Sequence, residues 1–144
     1  MKKSKIALIL VAALILSFAF ASCSKTETVV NLKFVVNDSV LIDVPVTMNS
    51  ESPKVLDVVT EAMVAYADSI GEMIVLDDEG TGIKTVKDLD IEYTTGYNAE
   101  TKIISGWEFY INDEKEVRVG LADDVAVANG DTIKYSFYSY EYTA

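Results

Sequence analysis

The sequence predicts an α+β domain, a mixed sheet with one main helix packed on it, and three observations predict it. Val30, Leu32, Phe34 and Val36, then Val40, Ile42, Val44 and Val46, recur at the period of two that marks a half-buried strand. Val55, Leu56, Val59, Ala62, Met63, Tyr66 and Ile70 recur at helical spacing, giving a helix with one apolar face. Alternation returns in Trp107, Phe109 and Ile111 and again in Ile133, Tyr135 and Phe137. Two strands, a helix and then further strands is an α+β order.

The chain begins with an export pattern. Lys2, Lys3 and Lys5 form a basic segment, Ile6 to Phe20 is apolar apart from Ser17, and the small residues Ala21 and Ser22 precede Cys23. The apolar run is short for a transmembrane helix. Phe20-Ala21-Ser22-Cys23 resembles a bacterial lipobox, in which the cysteine thiol takes a diacylglyceryl group and becomes the new N-terminus. Residues 1–22 are thus expected to be a lipoprotein signal peptide, and residues 23–29 a lipidated cysteine and polar tether. Residues 30–144 form the folded domain. The alternative is an ordinary signal peptide that leaves a free thiol, or a retained signal-anchor helix.

Composition excludes more than it names. The 144 residues hold 12 Lys+Arg, 23 Asp+Glu, one cysteine and no histidine, for a net charge of −11. Without imidazole there is no Ser-His-Asp or Cys-His chemistry and no histidine metal ligand. The charge opposes binding to nucleic acid, which needs Lys and Arg to displace phosphate counterions. Mean hydropathy is +0.22, largely from the leader. Cleavage after residue 22 would remove three lysines and no acid, so the exported domain is still more acidic. It would be held at the membrane by acyl chains, each buried methylene contributing about 0.8 kcal/mol. With Cys23 lipidated, no thiol remains for a disulfide or a metal.

Each element then has its own signal. Asn37-Asp38-Ser39 is a turn joining the first two strands into a hairpin, and Pro45 marks an edge or break in the second. Ser52-Pro53 reads as an N-cap followed by proline at the first helical position, and Gly71 as the stop, giving a helix over about 53–70. Met73-Ile74-Val75-Leu76 suggests a short strand, and Asp77-Asp78-Glu79-Gly80-Thr81-Gly82 an acidic loop. Residues 83–105 carry the weakest periodicity, with Ile91 and Tyr93 suggesting a strand and Thr94 to Asn98 a loop. The Trp107 strand stops at Asn112-Asp113, Val117 and Val119 suggest a short return strand ended by Gly120, and Asn129-Gly130-Asp131 is a tight turn before the last strand.

Catalytic and cofactor motifs are lacking: there is no phosphate-cradling glycine pattern, no nucleophile-base pair and no EF-hand spacing. The acidic clusters Asp77-Asp78-Glu79 and Asp123-Asp124 read either as solvated loops or as weak calcium ligands. The last strand is richer in information. Alternation puts Tyr138, Tyr140 and Tyr142 on the face opposite Tyr135, together with Lys134 and Ser136. An exposed tyrosine row offers flat contact area with hydrogen-bonding tips, although aromatics also simply favour strands.

Three blocks carry a family resemblance: Ser105-Gly106-Trp107-Glu108-Phe109-Tyr110-Ile111-Asn112; Val119-Gly120-Leu121-Ala122-Asp123; and Asn129-Gly130-Asp131-Thr132-Ile133-Lys134-Tyr135-Ser136-Phe137. Together they resemble the transcobalamin-like C-terminal domain family, related to the β-domain of cobalamin carriers, and Lys54-Val55-Leu56-Asp57-Val58-Val59 is similar to the start of the family helix. The resemblance spans about residues 30–140 and implies a β-grasp-like fold. It also implies cobalamin or a related corrinoid as ligand, with no cofactor required for activity. In the carriers a helical barrel supplies the other half of the clasp. Trp107 matches the family tryptophan, and Trp107, Tyr110, Tyr138 and Tyr140 are the candidate ligand-binding residues, although alternation places Trp107 with Phe109 and Ile111 on the core face and favours a structural role for it. The expectation is an exported, membrane-anchored, non-catalytic binding domain. The alternative is a cell-surface protein-interaction or assembly module without a small-molecule ligand.

Overall fold

The computed structural model describes residues 26–115 and 122–143. The expected signal peptide, Cys23 and the Val117 and Val119 strand with Gly120 lie outside the described residues. The chain runs β1 (Thr28–Val36), β2 (Ser39–Met48), α1 (Val55–Ala65), β3 (Ile74–Leu76), β4 (Ile83–Asp88), β5 (Ile91–Thr94), β6 (Gly96–Asn98), β7 (Ile103–Ile111), β8 (Glu114–Lys115) and β9 (Thr132–Glu141). The larger sheet has the order β2-β1-β9-β7-β6, with β8 also paired to β7, and a second sheet has the order β3-β4-β5. β1 and β9 are parallel while the other pairs are antiparallel, so the main sheet is mixed as the sequence predicts. The second sheet is a feature the sequence reading does not contain.

The first hairpin forms where expected. Asn37 and Asp38 take φ of 47° and 67°, the left-handed pair that a two-residue turn needs to match strand twist. Asn112 and Asp113 repeat this at 51° and 67°, turning β7 into β8. Asparagine and aspartate tolerate that region because their short side chains hydrogen-bond locally. One expectation in the hairpin fails. The β1–β2 register slips so that Phe34 faces Ile42 but Val35 faces Val40, which leaves Leu41 as a bulge and turns Val40 out to solvent. Pro45 lies on β2, at the sheet edge, where its missing donor breaks no ladder bond.

The helix is shorter than its periodicity predicts. Residues 53 and 54 stay outside it: the Pro53 carbonyl accepts from the Val127 N–H at 2.9 Å, and Lys54 is extended and bridges Ala126. Lys54 is therefore the cap residue, and its N–H donates to Asp57 Oδ2 at 2.8 Å. The N–H groups of Val55 and Leu56 donate to the carbonyls of Val125 and Ala122, so residues 122–127 close the helix start. At the other end, the Tyr66 carbonyl accepts from the N–H groups of Ser69, Ile70 and Gly71. Turns carry the apolar pattern onward to Ile70, which is buried, and α1 itself ends at Ala65. Val55, Val58, Val59 and Ala62 form its buried face, packed on β1 and β2. Tyr66 pins this layer by donating its hydroxyl to the Pro45 carbonyl at 2.7 Å.

The segment read as weakly periodic holds β4 and β6. Thr85 and Val86 are neighbours on β4 and both are buried, which destroys alternation. The Thr85 hydroxyl tolerates burial because it bonds the Thr94 hydroxyl across the ladder at 3.0 Å. Gly96 to Asn98, read as loop, pair with Ile103 to Ser105. At the core centre Phe34 stacks on Tyr135 at 4.8 Å and 8°, and meets Trp107 edge-on at 5.5 Å. Such aromatic pairs contribute about 0.5–1.5 kcal/mol beyond the area they bury.

Candidate functional site

The four candidate residues divide between the two faces of the β7–β9 ladder. Trp107 pairs with Phe137 on the core face and is 7% exposed. Its indole N–H donates to the Tyr93 carbonyl at 3.0 Å, which ties the main sheet to β5. Tyr93 and Phe137 pack against its ring.

On the other face the rungs are Tyr110 with Lys134, Glu108 with Ser136, Gly106 with Tyr138 and Ile104 with Tyr140. Tyr138 and Tyr140 stack at 6.0 Å. Tyr110 stands apart from them, beyond the Glu108–Ser136 rung. Its hydroxyl donates to Glu108 Oε1 at 2.6 Å, and the Lys134 ammonium lies 4.9 Å from its ring centre. Lys134 also pairs with Asp113 at 2.6 Å.

The expected row of three exposed tyrosines is corrected in one member. Tyr140 and Tyr142 are exposed, but Tyr138 is half-buried. The reason is Gly106, whose missing side chain leaves a space that the Tyr138 ring fills. A β-carbon at position 106 would lie 2.7 Å from Tyr138 Oη and 2.9 Å from Cζ. Tyr142 follows the end of β9, where its N–H donates to the Lys102 carbonyl.

Behind this ladder is a cavity of about 140 Å³ that sequence reasoning missed. Trp107, Phe109, Tyr135 and Tyr138 line it from β7 and β9, with Asp77 and Ile83 across from them. Tyr135 is 2% exposed, and its hydroxyl has no hydrogen-bond partner among the described residues. Burial pushes this phenol well above its ordinary pKa. A buried hydroxyl without a partner costs about 1–3 kcal/mol. The signal in the sequence was a tyrosine where the pattern of the strand called for a plain apolar residue.

A wider, open groove of about 620 Å³ runs beside β6 and is lined by Tyr97, Asn98, Thr101, Ile103 and Ser105 among others. Neither acidic cluster gathers ligands. Asp77 accepts from the Thr81 N–H and hydroxyl, Asp78 pairs with Lys84 at 3.3 Å, and Asp123 and Asp124 are exposed. Among the described residues no three carboxylates or other metal-ligating side chains converge.

The fold and these faces define the class: an α+β domain whose mixed sheet carries an aromatic cluster on one face and a polar, tyrosine-bearing surface on the other. Its fold is similar to part of haptocorrin, solved in complex with Cbi, with a TM-score of 0.53 and 18% identity over 81% of this chain. The chain spans 26% of that structure's length. A protein from Ruminococcus gnavus overlaps 78% of this chain and 98% of its own at a TM-score of 0.41 and 12% identity. No family model and no curated protein matches the chain. No helix among the described residues is long and apolar enough to cross a membrane.

Proposed function

We propose that this chain is an exported lipoprotein, anchored through Cys23 in a bacterial cell membrane. Its β-grasp-like domain binds cobalamin or a related corrinoid without catalysing a reaction. The observation that carries the reading is the likeness to haptocorrin in complex with Cbi over 81% of the chain. The Gly-Trp and Gly-Asp blocks, which resemble the transcobalamin-like family, point the same way. Tyr138 and Tyr140 present stacked rings on the sheet face and Tyr110 a third, while Trp107 holds the ladder from beneath. With no histidine, this domain grips ring edges and side chains of the corrinoid and leaves the cobalt without a protein imidazole.

Calorimetric titration of the full chain in a neutral detergent with cobinamide and with cobalamin tests the ligand. Heat that saturates supports it, and loss of that heat in a Tyr138→Ala, Tyr140→Ala double variant places the ligand on this face. No heat at high micromolar concentration overturns the corrinoid reading. Metabolic labelling with a fatty-acid analogue tests the anchor, which Cys23→Ser abolishes.

The β6 edge favours a second reading, a surface module that recruits a protein. Tyr97 there is 58% exposed and stands on an open groove at the edge of the main sheet, where another strand could add. Cross-linking from position 97 in intact cells distinguishes the two: one specific adduct supports recruitment, and its absence counts against it.

A further inference from the structure

The open groove beside β6 is chemically unlike the rest of the molecule. The chain is 24% charged with a net charge of −11, yet every described residue that lines the groove is a threonine, serine, asparagine, glycine, tyrosine or isoleucine. Its volume of about 620 Å³ lies within the roughly 300–1,000 Å³ of small-ligand pockets. None of Tyr110, Tyr138 and Tyr140 lines it, so its occupant does not depend on corrinoid binding. A strand added along β6 would bond main-chain groups, whereas what distinguishes the groove is its side chains.

Internal hydrogen bonds set the polarity of those side chains. The Thr95 hydroxyl donates to the Ile83 carbonyl at 2.9 Å, and the Ser105 hydroxyl to the Thr94 carbonyl at 2.7 Å. Each has given up its one proton and keeps lone pairs, so both meet a ligand as acceptors. Asn98 is fixed in the opposite sense. Its Oδ1 accepts from the N–H groups of Glu100 and Thr101 at 3.0 and 3.1 Å, which leaves the side-chain NH2 as a donor. Thr101 is exposed and its hydroxyl has no partner among the described residues, so it serves in either sense. Tyr97 and Ile103, 58% and 37% exposed, add apolar surface beside these groups.

A cation finds no carboxylate in the described lining, and an anion finds no lysine or arginine. A wholly apolar guest would strip water from the hydroxyls and the amide without replacing its hydrogen bonds. The complement of this lining is uncharged, donates and accepts at closely spaced points, and carries C–H surface between them. Sugars have this chemistry, since each hydroxyl both donates and accepts while the ring carbons present C–H groups. We propose that the groove binds a neutral oligosaccharide, whose hydroxyls donate to Thr95 and Ser105, accept from Asn98 and bond Thr101. Because the groove is open, a chain of several sugars can lie along it.

Main-chain amide NMR of the full chain in neutral detergent tests this, with maltohexaose, cellohexaose and mannohexaose as probes and hexagalacturonate as the charged counterpart. The expected result is a saturable shift centred on Asn98, Thr101 and Ser105 with at least one neutral hexamer, and none with hexagalacturonate. Thr101→Val and Ser105→Ala each weaken that binding about threefold, and together about tenfold, as loss of one and then two hydrogen bonds implies. The Thr101 hydroxyl makes no internal bond among the described residues, so Thr101→Val stays informative even if Ser105→Ala disturbs β7. No saturable shift with any neutral hexamer, equal binding of hexagalacturonate, shifts centred on Tyr138 and Tyr140 instead, or unchanged affinity in the double variant overturns the proposal.

Discussion

Gly106 and Tyr138 face each other across the β7–β9 ladder, and the tyrosine ring occupies the space that a β-carbon on residue 106 would need. Gly106→Ala is therefore expected to destabilise the chain by about 1–3 kcal/mol through overpacking. In a Tyr138→Ala background the same change becomes neutral or mildly stabilising, because alanine is less costly than glycine in a strand interior. A double-mutant cycle by urea unfolding measures the coupling. Additive effects would show that the ring does not depend on the glycine.

Tyr135→Phe removes a buried hydroxyl that has no partner among the described residues, and is expected to stabilise the unliganded chain by about 1–2 kcal/mol. The sign at high pH follows from burial. The phenol is raised in the folded chain and titrates at 10.0 when exposed, so its contribution is full below pH 10 and is lost as pH rises beyond it. The phenylalanine variant should lose less stability between pH 10 and 11 than the parent. Thermal melts across that range check both effects.

Asp43 is held below its usual carboxylate range first by the Asn31 amide, which donates to Oδ1 at 2.8 Å, and then by Lys33 at 3.1 Å. A lowered carboxyl stabilises the folded chain above the unfolded value of 3.8 and loses that contribution as pH falls through the folded value. Asp113, lowered by Lys134, acts in the same direction. Both sites are exposed, so solvent keeps the effect small. Carboxyl NMR titration should place Asp43 below 3.8 in the parent and nearer to it in Asn31→Ala.

Tyr66→Phe removes the hydroxyl that donates to the Pro45 carbonyl and ties the end of α1 to the edge strand β2. A loss of about 0.5–1.5 kcal/mol is expected from one hydrogen bond. Faster amide exchange at the end of α1, with the β7–β9 ladder unaffected, would locate the loss at this contact.

The elements legible in the sequence are those in which one side chain in two reaches the core. β1 alternates along its whole length, β7 does so from Trp107 to Phe109 and β9 from Thr132 to Tyr135, and their turns carry Asn-Asp or Asn-Gly. α1 is legible as a helix but not in its length, because Ile70 continues the periodicity in a turn and the Pro53 carbonyl is engaged by Val127. β4 is illegible because the consecutive residues Thr85 and Val86 are both buried, the Thr85 hydroxyl being satisfied by that of Thr94. The position of Trp107 in the core could be read from alternation. The hollow beside it could not, since it depends on which side chains Asp77 and Ile83 meet across two sheets.

β9 lies between β1 and β7 and joins the two halves of the main sheet. A hundred residues of chain separate Val29 from Asn129, whose side chain accepts the Val29 N–H at the start of this junction. Local hairpins can close early, but the sheet cannot become one body until its last strand inserts, which makes folding slow and late. Truncation before Thr132 would therefore do more than trim an edge. It would leave β1 and β7 as two unpaired borders and unfold the domain as a unit.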